Sequence, residues 1–296
     1  MSIKITIFCL FISLSACTQP KLADQVKNLE GIWIAEDYLQ SFEKNRSSLK
    51  SKDAFDLNYP AGLRVNSQEL KEDSLTIGYS VLHDHGLYPE ISTFLMADGN
   101  RINEQGFLRI SALKPDSLNF YKISDTHFFN YECDAYFSWQ YGKDTTLILY
   151  RPTSAELPEM TIRFKRIANK FSPEHPFPNP VYYYTRSKML AGNFTLKDDH
   201  GKVLSQRVSI GLDGKMLGYA PFDHLRCYYS TEVYCGPHEP EDVVLTCSMD
   251  EKYDFNCEGY YYKSLKEGGF QFLDRMWIEK EEEYKVGSVR YSFIPR

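Results

Sequence analysis

Leu75-Thr76-Ile77-Gly78-Tyr79-Ser80-Val81 alternates apolar with small or polar residues along its length. Successive side chains of a β-strand point to opposite faces, so this period of two puts Leu75, Ile77, Tyr79 and Val81 on one face. Met160, Ile162 and Phe164 repeat the pattern against Thr161, Arg163 and Lys165, as do Val208, Ile210 and Leu212, and Val289, Tyr291 and Phe293. Between such runs fall Asp98-Gly99-Asn100, Lys114-Pro115-Asp116, Asp199-His200-Gly201 and Asp213-Gly214, which offer Gly or Asx for tight hairpins. Many short strands with frequent turns predict an all-β chain of antiparallel strands, closed as barrels or stacked as β-sandwiches. One stretch departs from the rhythm: Leu39, Phe42 and Leu49 sit at helical offsets, which predicts a short helix near 39–49 although Arg46 shares the stripe.

At 296 residues the chain exceeds the usual size of a single core. Ser172-Pro-Glu-His-Pro-Phe-Pro-Asn-Pro180 holds four of the 14 prolines. Proline removes a backbone donor and fixes φ, so the stretch reads as neither central strand nor helix. The expectation is a first β domain at 29–167, a Pro-rich linker at 168–188 and a Cys-rich second β domain at 189–296. With 43% apolar and 15% aromatic residues, each half can bury a core.

The N-terminus carries a different signal. Lys4 precedes the apolar run Ile5 to Leu14, and Leu14-Ser15-Ala16-Cys17 follows. The run is too short for a spanning helix, which needs roughly 20 residues, and fits an export signal. It resembles a bacterial lipoprotein signal peptide ending in a lipobox. That resemblance implies removal of 1–16, lipid on Cys17, and a short tether at 17–28 holding the protein to a membrane of the cell envelope. Thr18 after the anchor lacks the Asp associated with inner-membrane retention, so the outer membrane is preferred. Loss of Lys4 leaves 33 of the 34 Lys and Arg against 40 Asp and Glu, so the net charge moves from −6 to −7. An acidic chain without a basic cluster is a poor nucleic-acid partner.

The halves echo each other at their ends. The first opens Leu29-Glu-Gly31-Ile-Trp33 and closes Thr161-Ile-Arg163-Phe164-Lys-Arg166; the second opens Leu190-Ala-Gly192-Asn-Phe194 and closes Val289-Arg290-Tyr291-Ser-Phe293. A Gly-x-aromatic opening followed by short strands and an Arg-bearing last strand resembles the lipocalin-like barrels. The resemblance implies Trp33 and Phe194 as barrel-floor plugs, covered by Arg163 or Arg166 and by Arg290. The helix at 39–49 would then lie near the first barrel's opening as a lid. A cation over an aromatic face is worth roughly 0.5 to 2 kcal/mol.

Of the seven cysteines, Cys9 leaves with the signal, Cys17 is the anchor and Cys133 stands alone in the first half. Cys227, Cys235, Cys247 and Cys257 read as two disulfides in an oxidising compartment, with 227–235 and 247–257 the pairing expected. His224, Cys227, Cys235 and His238 form a mirrored zinc-type set that competes with this reading. His83 and His85 share a strand face but lack a third ligand, and Glu279 to Glu283 reads as a charged hairpin tip. Hydrolase, P-loop and dinucleotide signatures are missing from the sequence, so no catalytic residue, metal or cofactor is expected. Tyr182 to Tyr184, Tyr228-Tyr229 and Tyr260 to Tyr262 are clusters in which alternate faces predict at least one exposed ring each. The functions expected are non-catalytic: binding of a small apolar ligand or a partner inside a barrel, or of a glycan or protein on exposed Tyr of the second domain.

Overall fold

The computed structural model describes residues 22–56, 59–71, 74–82, 107–111, 120–123, 134–140, 145–155, 157–170, 179–230, 237–249 and 255–296. It contains two eight-stranded antiparallel sheets. The first comprises β1 (Gly31–Ala35), β2 (Gly62–Lys71), β3 (Ser74–Ser80), β4 (Phe107–Ser111), β5 (Tyr121–Lys122), β6 (Tyr136–Gln140), β7 (Thr146–Arg151) and β8 (Met160–Ala168). The second comprises β9 (Gly192–Lys197), β10 (Val203–Ile210), β11 (Met216–Leu217), β12 (Arg226–Tyr229), β13 (Val243–Met249), β14 (Phe255–Ser264), β15 (Phe270–Ile278) and β16 (Glu283–Pro295). Strands follow one another in space as in sequence, and each first strand pairs with the last, β1 with β8 and β9 with β16. Single bridges, Ile110 to Ile123 and Lys215 to Arg226, span the remaining gaps. Each sheet is therefore a nearly closed up-and-down barrel, and the sandwich alternative falls.

Among the described residues four short α-helices accompany the barrels: α1 (Leu22–Leu29), α2 (Glu36–Asn45), α3 (Ser48–Ser51) and α4 (Pro180–Met189). α1 ends just before Gly31 and α4 just before Gly192. Both glycines have positive φ, 142° and 156°. A Cβ at Gly31 would stand 2.1 Å from the Ala168 carbonyl oxygen, and one at Gly192 would stand 2.9 Å from the Phe194 ring. Helix, glycine, aromatic and eight-strand meander are thus one plan used twice.

Helix α4 corrects the expected linker. Residues up to Ala168 are still strand, 171–178 lie outside the described residues, and 180–188 are helical. Pro180 opens this helix instead of breaking it, because a first-turn residue has no intrahelical use for its N–H. Asn179 caps it, its side-chain oxygen accepting from the amides of Val181 and Tyr182 at 3.1 Å. The lid also changes. α2 begins at Glu36, and at Arg46 the backbone turns left-handed with φ 51°, which takes this cation off the apolar stripe.

The register fixes how the barrels stack. α2 leaves β1 at the end opposite Gly31, and Gly62 and Ser80 share that end. Gly62 abuts Pro180 and Val181, and the Val181 amide donates to Ser80 Oγ at 3.3 Å. From the second barrel, Tyr229 meets Phe42 of α2 edge-on at 6.2 Å, and Asp242 accepts from the Leu49 amide at 2.9 Å. Tyr229 and Tyr262 lie at the Gly192 end, where the Tyr262 hydroxyl donates to the Met189 carbonyl. The mouth of the first barrel therefore faces the floor of the second, and the buried apolar residues form one continuous cluster through α2 and α4. This overturns the expectation of two separate cores. It also explains a lapse in the alternation: on β3, Ser80 is buried under α4 while Tyr79 is only half-buried.

Gly31→Ala should lower stability by about 3 kcal/mol or more, whereas Gly201→Ala, whose Cβ meets nothing within 4 Å, should cost about 1 kcal/mol; urea unfolding measures both. At the junction, Glu43 binds Lys188 Nζ at 2.7 Å, accepts from the Tyr184 hydroxyl at 3.0 Å and pairs with Arg46 at 3.0 Å. The Lys188 hydrogen bond leads in holding its carboxyl below the usual range. Its contribution is then complete above the unfolded value near 4.3 and is lost as pH falls through the lower folded value. Solvent screening keeps it under about 1 kcal/mol, so Glu43→Gln should slightly flatten the acid limb of a stability–pH curve.

Candidate functional site

The floors carry the residues that the resemblance singled out. Trp33 is fully buried, and the Arg166 guanidinium lies 4.6 Å from its ring centroid. The Trp33 indole N–H donates to the Leu29 carbonyl at 2.9 Å, and Arg166 donates to the Asn28 carbonyl at 2.8 Å. Plug and cover together satisfy carbonyls at the end of α1. Arg163 is not the cover: strand parity turns it outward between buried Ile162 and Phe164, and it is exposed. The second floor is built differently. Phe194 is buried against Phe270 at 5.2 Å and Phe293 at 5.9 Å, while Arg290 is half-exposed and bound to Asp274 at 2.9 Å. Phe194 cannot donate as Trp33 does, and Tyr262 supplies the hydrogen bond to the end of α4 instead.

Cys247 and Cys257 are directly opposed on β13 and β14 and form a disulfide, as expected from the hairpin between them. Cys227 is a free thiol, fully buried, so the pairing expected for it with Cys235, which lies outside the described residues, is not seen. Burial pushes its thiol up to about 12, the opposite of what a metal-binding thiolate requires. His224 and His238 are exposed while Cys227 is buried, and no group of three His, Cys, Asp or Glu converges among the described residues. Cys17, Cys133, His83 and His85 also lie outside the described residues.

The tyrosine clusters do not form an exposed patch. Tyr182, Tyr184, Tyr228, Tyr229, Tyr260, Tyr261 and Tyr262 are buried, and only Tyr183 is half-buried. The parity argument was right about faces and wrong about solvent. Outward-facing Tyr228 is covered by Tyr182 of α4, and outward-facing Tyr261 by Glu239, which accepts its hydroxyl at 2.7 Å. Nor is the second barrel hollow. Phe270 to Phe293 at 4.6 Å, Phe272 to Phe293 at 4.8 Å and Tyr260 to Phe272 at 5.4 Å fill it with packed rings.

A depression of about 350 Å³ lies beside the first barrel, lined by Glu36, Asp37, Phe55 and Arg163 among others, and another opens at the far mouth of the second barrel. There a depression of about 460 Å³ is lined by Glu258 and Tyr260 of β14, Asp274, Arg275 and Met276 of β15, and Arg290 of β16. Asp274 holds Arg290 on one oxygen and accepts from Ser288 at 3.2 Å on the other. Arg275 pairs with Glu239 and lies 3.6 Å from the Tyr284 ring centroid, so two strands and the 237–242 segment are tied together. Burial leads in pushing the Tyr260 hydroxyl above the usual phenol range, with Glu258 next, which keeps it a neutral donor. The Cys247–Cys257 bridge braces the β13–β14 side. Glu239 and Arg275 carried no local signal, because they are 36 residues apart.

No family model, curated protein or solved structure matches the chain. A functional reading therefore rests on this geometry. Arg166→Met should cost about 1 to 2 kcal/mol, whereas Arg163→Met and Arg290→Met should each stay within about 0.5 kcal/mol in the same thermal or urea assay.

Proposed function

We propose that this chain is an exported, non-catalytic binding lipoprotein of the bacterial cell envelope. Lipid on Cys17 holds it to a membrane, by preference the outer one, and the far mouth of the second barrel meets its ligand. The observation that carries the reading is the end-to-end stack. α1 ends at Leu29 on the first floor and begins at Leu22, and residues 18–21 permit at most about 18 Å between Cys17 and that beginning. The mouth with the charged rim lies at the other end of the molecule and points away from that anchor. A single acyl chain binds a bilayer only weakly, so a lasting anchor on Cys17 needs more than one.

Among the ligand classes left open by the sequence, a polar glycan or a protein surface suits the mouth better than an apolar molecule. The rim offers carboxylates and guanidinium groups, and the rings beneath fill the space that an apolar ligand would take. Asp274 is bound to Arg290, and Glu239 to Arg275 and Tyr261, which suits them to hold a shape and not to move protons.

Metabolic labelling with a palmitate analogue tests the anchor: the intact chain should be labelled and sediment with membranes, and Cys17→Ser should do neither. Purified protein screened against bacterial envelope glycans tests the mouth. Binding should weaken at least tenfold in Arg290→Ala. A copurifying apolar molecule in native mass spectrometry, with no glycan bound, would overturn the polar reading.

A further inference from the structure

β16 has a longer partner on one side than on the other. β15 pairs with it along residues 283–293, whereas β9 meets it only at Ser292, Phe293, Ile294 and Pro295. Residues 283–291 therefore have β15 on one side and, among the described residues, no strand on the other. The chain leaving β9 does not fill that slot. It turns straight back through residues 198–202, closed by the Gly201 amide donating to the Asp198 carbonyl, with the His200 side chain 86% exposed. In an antiparallel pair, alternate residues aim both backbone groups away from their partner strand, so this stretch presents a row of free N–H and C=O groups.

The edge is not uniform. Gly287 and Ser288 together oppose Asp274, and Arg290 is an extra residue between Val289 and Tyr291, so β16 bulges twice against β15. Bulged backbone pairs poorly with an incoming strand, which guards this part of the edge against indiscriminate pairing. Residues 283–286 are different, because their register against residues 275–278 is regular. There Val286 is 40% exposed on the outer face, beside half-buried Tyr284. The Tyr284 ring packs on Trp277 at 4.8 Å and has the Arg275 guanidinium 3.6 Å from its centroid, so its position is fixed. At the head of this run Lys285 is shared by Glu281 and Glu283, while exposed Glu282 has no ion-pair partner among the described residues.

We propose that this edge is a peptide-binding site, on which an extended segment of a partner protein adds as a strand beside residues 283–286 and continues the line of β9. The row of backbone groups selects the class of occupant, since an extended polypeptide carries donors and acceptors at the matching two-residue spacing and a sugar chain does not. Ladder hydrogen bonds supply affinity for any sequence. Selection comes from an apolar side chain lying against Val286 and Tyr284 and from a basic one meeting Glu282. The site uses the outer edge of β16 and not the depression in the mouth, so it stands or falls apart from the glycan reading.

A library of random peptides of about ten residues, selected on the full lipidated chain in detergent, supplies the probes. Selected peptides should carry β-branched residues and a basic residue toward one end. Their binding should slow amide exchange, read by mass spectrometry, about tenfold or more in residues 283–286 and leave β9 unchanged. N-methylation of alternate peptide residues should abolish binding in one phase of the alternation and spare it in the other, because only one set of amides faces β16. Val286→Asp should weaken binding about tenfold without shifting thermal unfolding, and peptides reselected on Glu282→Lys should lose the basic residue. A library that yields no binder, protection confined to other segments, binding indifferent to the phase of N-methylation, or a basic preference that persists on Glu282→Lys would each overturn the proposal.

Discussion

Phe42 meets Tyr184 edge-on at 5.4 Å and Tyr229 edge-on at 6.2 Å, and Tyr229 in turn meets Tyr262 at 5.2 Å. These rings come from α2, α4, β12 and β14, so a single aromatic run joins a first-barrel helix to the second barrel's floor. Each edge-to-face contact is worth about 0.5 to 1.5 kcal/mol beyond the area it buries. The run depends on α4 being a helix, and α4 depends on Asn179 and Pro180 at its start. If α4 were extended, Tyr184 would leave Phe42, and the β2–β3 face around Gly62 and Ser80 would be wet. The stacking of the barrels, the closure of the first mouth on this side and the freedom of the second mouth all follow from that contact.

Strand rhythm was legible wherever a strand has one wet face. Leu75 and Ile77, Met160, Ile162 and Phe164, and Val208 and Ile210 are buried at the positions that alternation assigned. Leu212 fails because β10 ends at Ile210 and the chain turns through Asp213-Gly214, which leaves Leu212 43% exposed. The floors were legible in part. Gly31 and Gly192 are needed for their backbone conformation, and the Trp33–Arg166 pair sits where a repeated opening and closing motif would put it. The second floor was not legible, because replacing an indole by a phenyl ring removes a donor, and nothing nearby in sequence announces that Tyr262 replaces it.

Proline misled for a physical reason. Four prolines in nine residues exclude a ladder, but the last of them follows Asn179, and an Asn-Pro step is also a helix start. Tyrosine misled because period-two parity gives the face and says nothing about what covers it. Coverage here comes from α4 and from the 237–242 segment, both remote in sequence from the rings they bury. The candidate mouth was illegible for the same reason, since it is assembled from three strands and a crossing loop.

Filling the second barrel has consequences for how such a molecule works. A hollow barrel recognises its ligand with interior side chains, and its outer wall can be any soluble surface. When stacked Phe and Tyr rings occupy the interior, that burial stabilises the shell, and recognition is left to rims and walls. The rim at the far mouth is held by cross-strand ties, Asp274 to Arg290 and Arg275 to Glu239, instead of by a lid. Side chains fixed in this way lose little freedom on binding, which favours recognition by a rigid polar surface over closure around a guest. The first barrel, locked by α2 and α4 against the second floor, then serves as a stiff base for that rim.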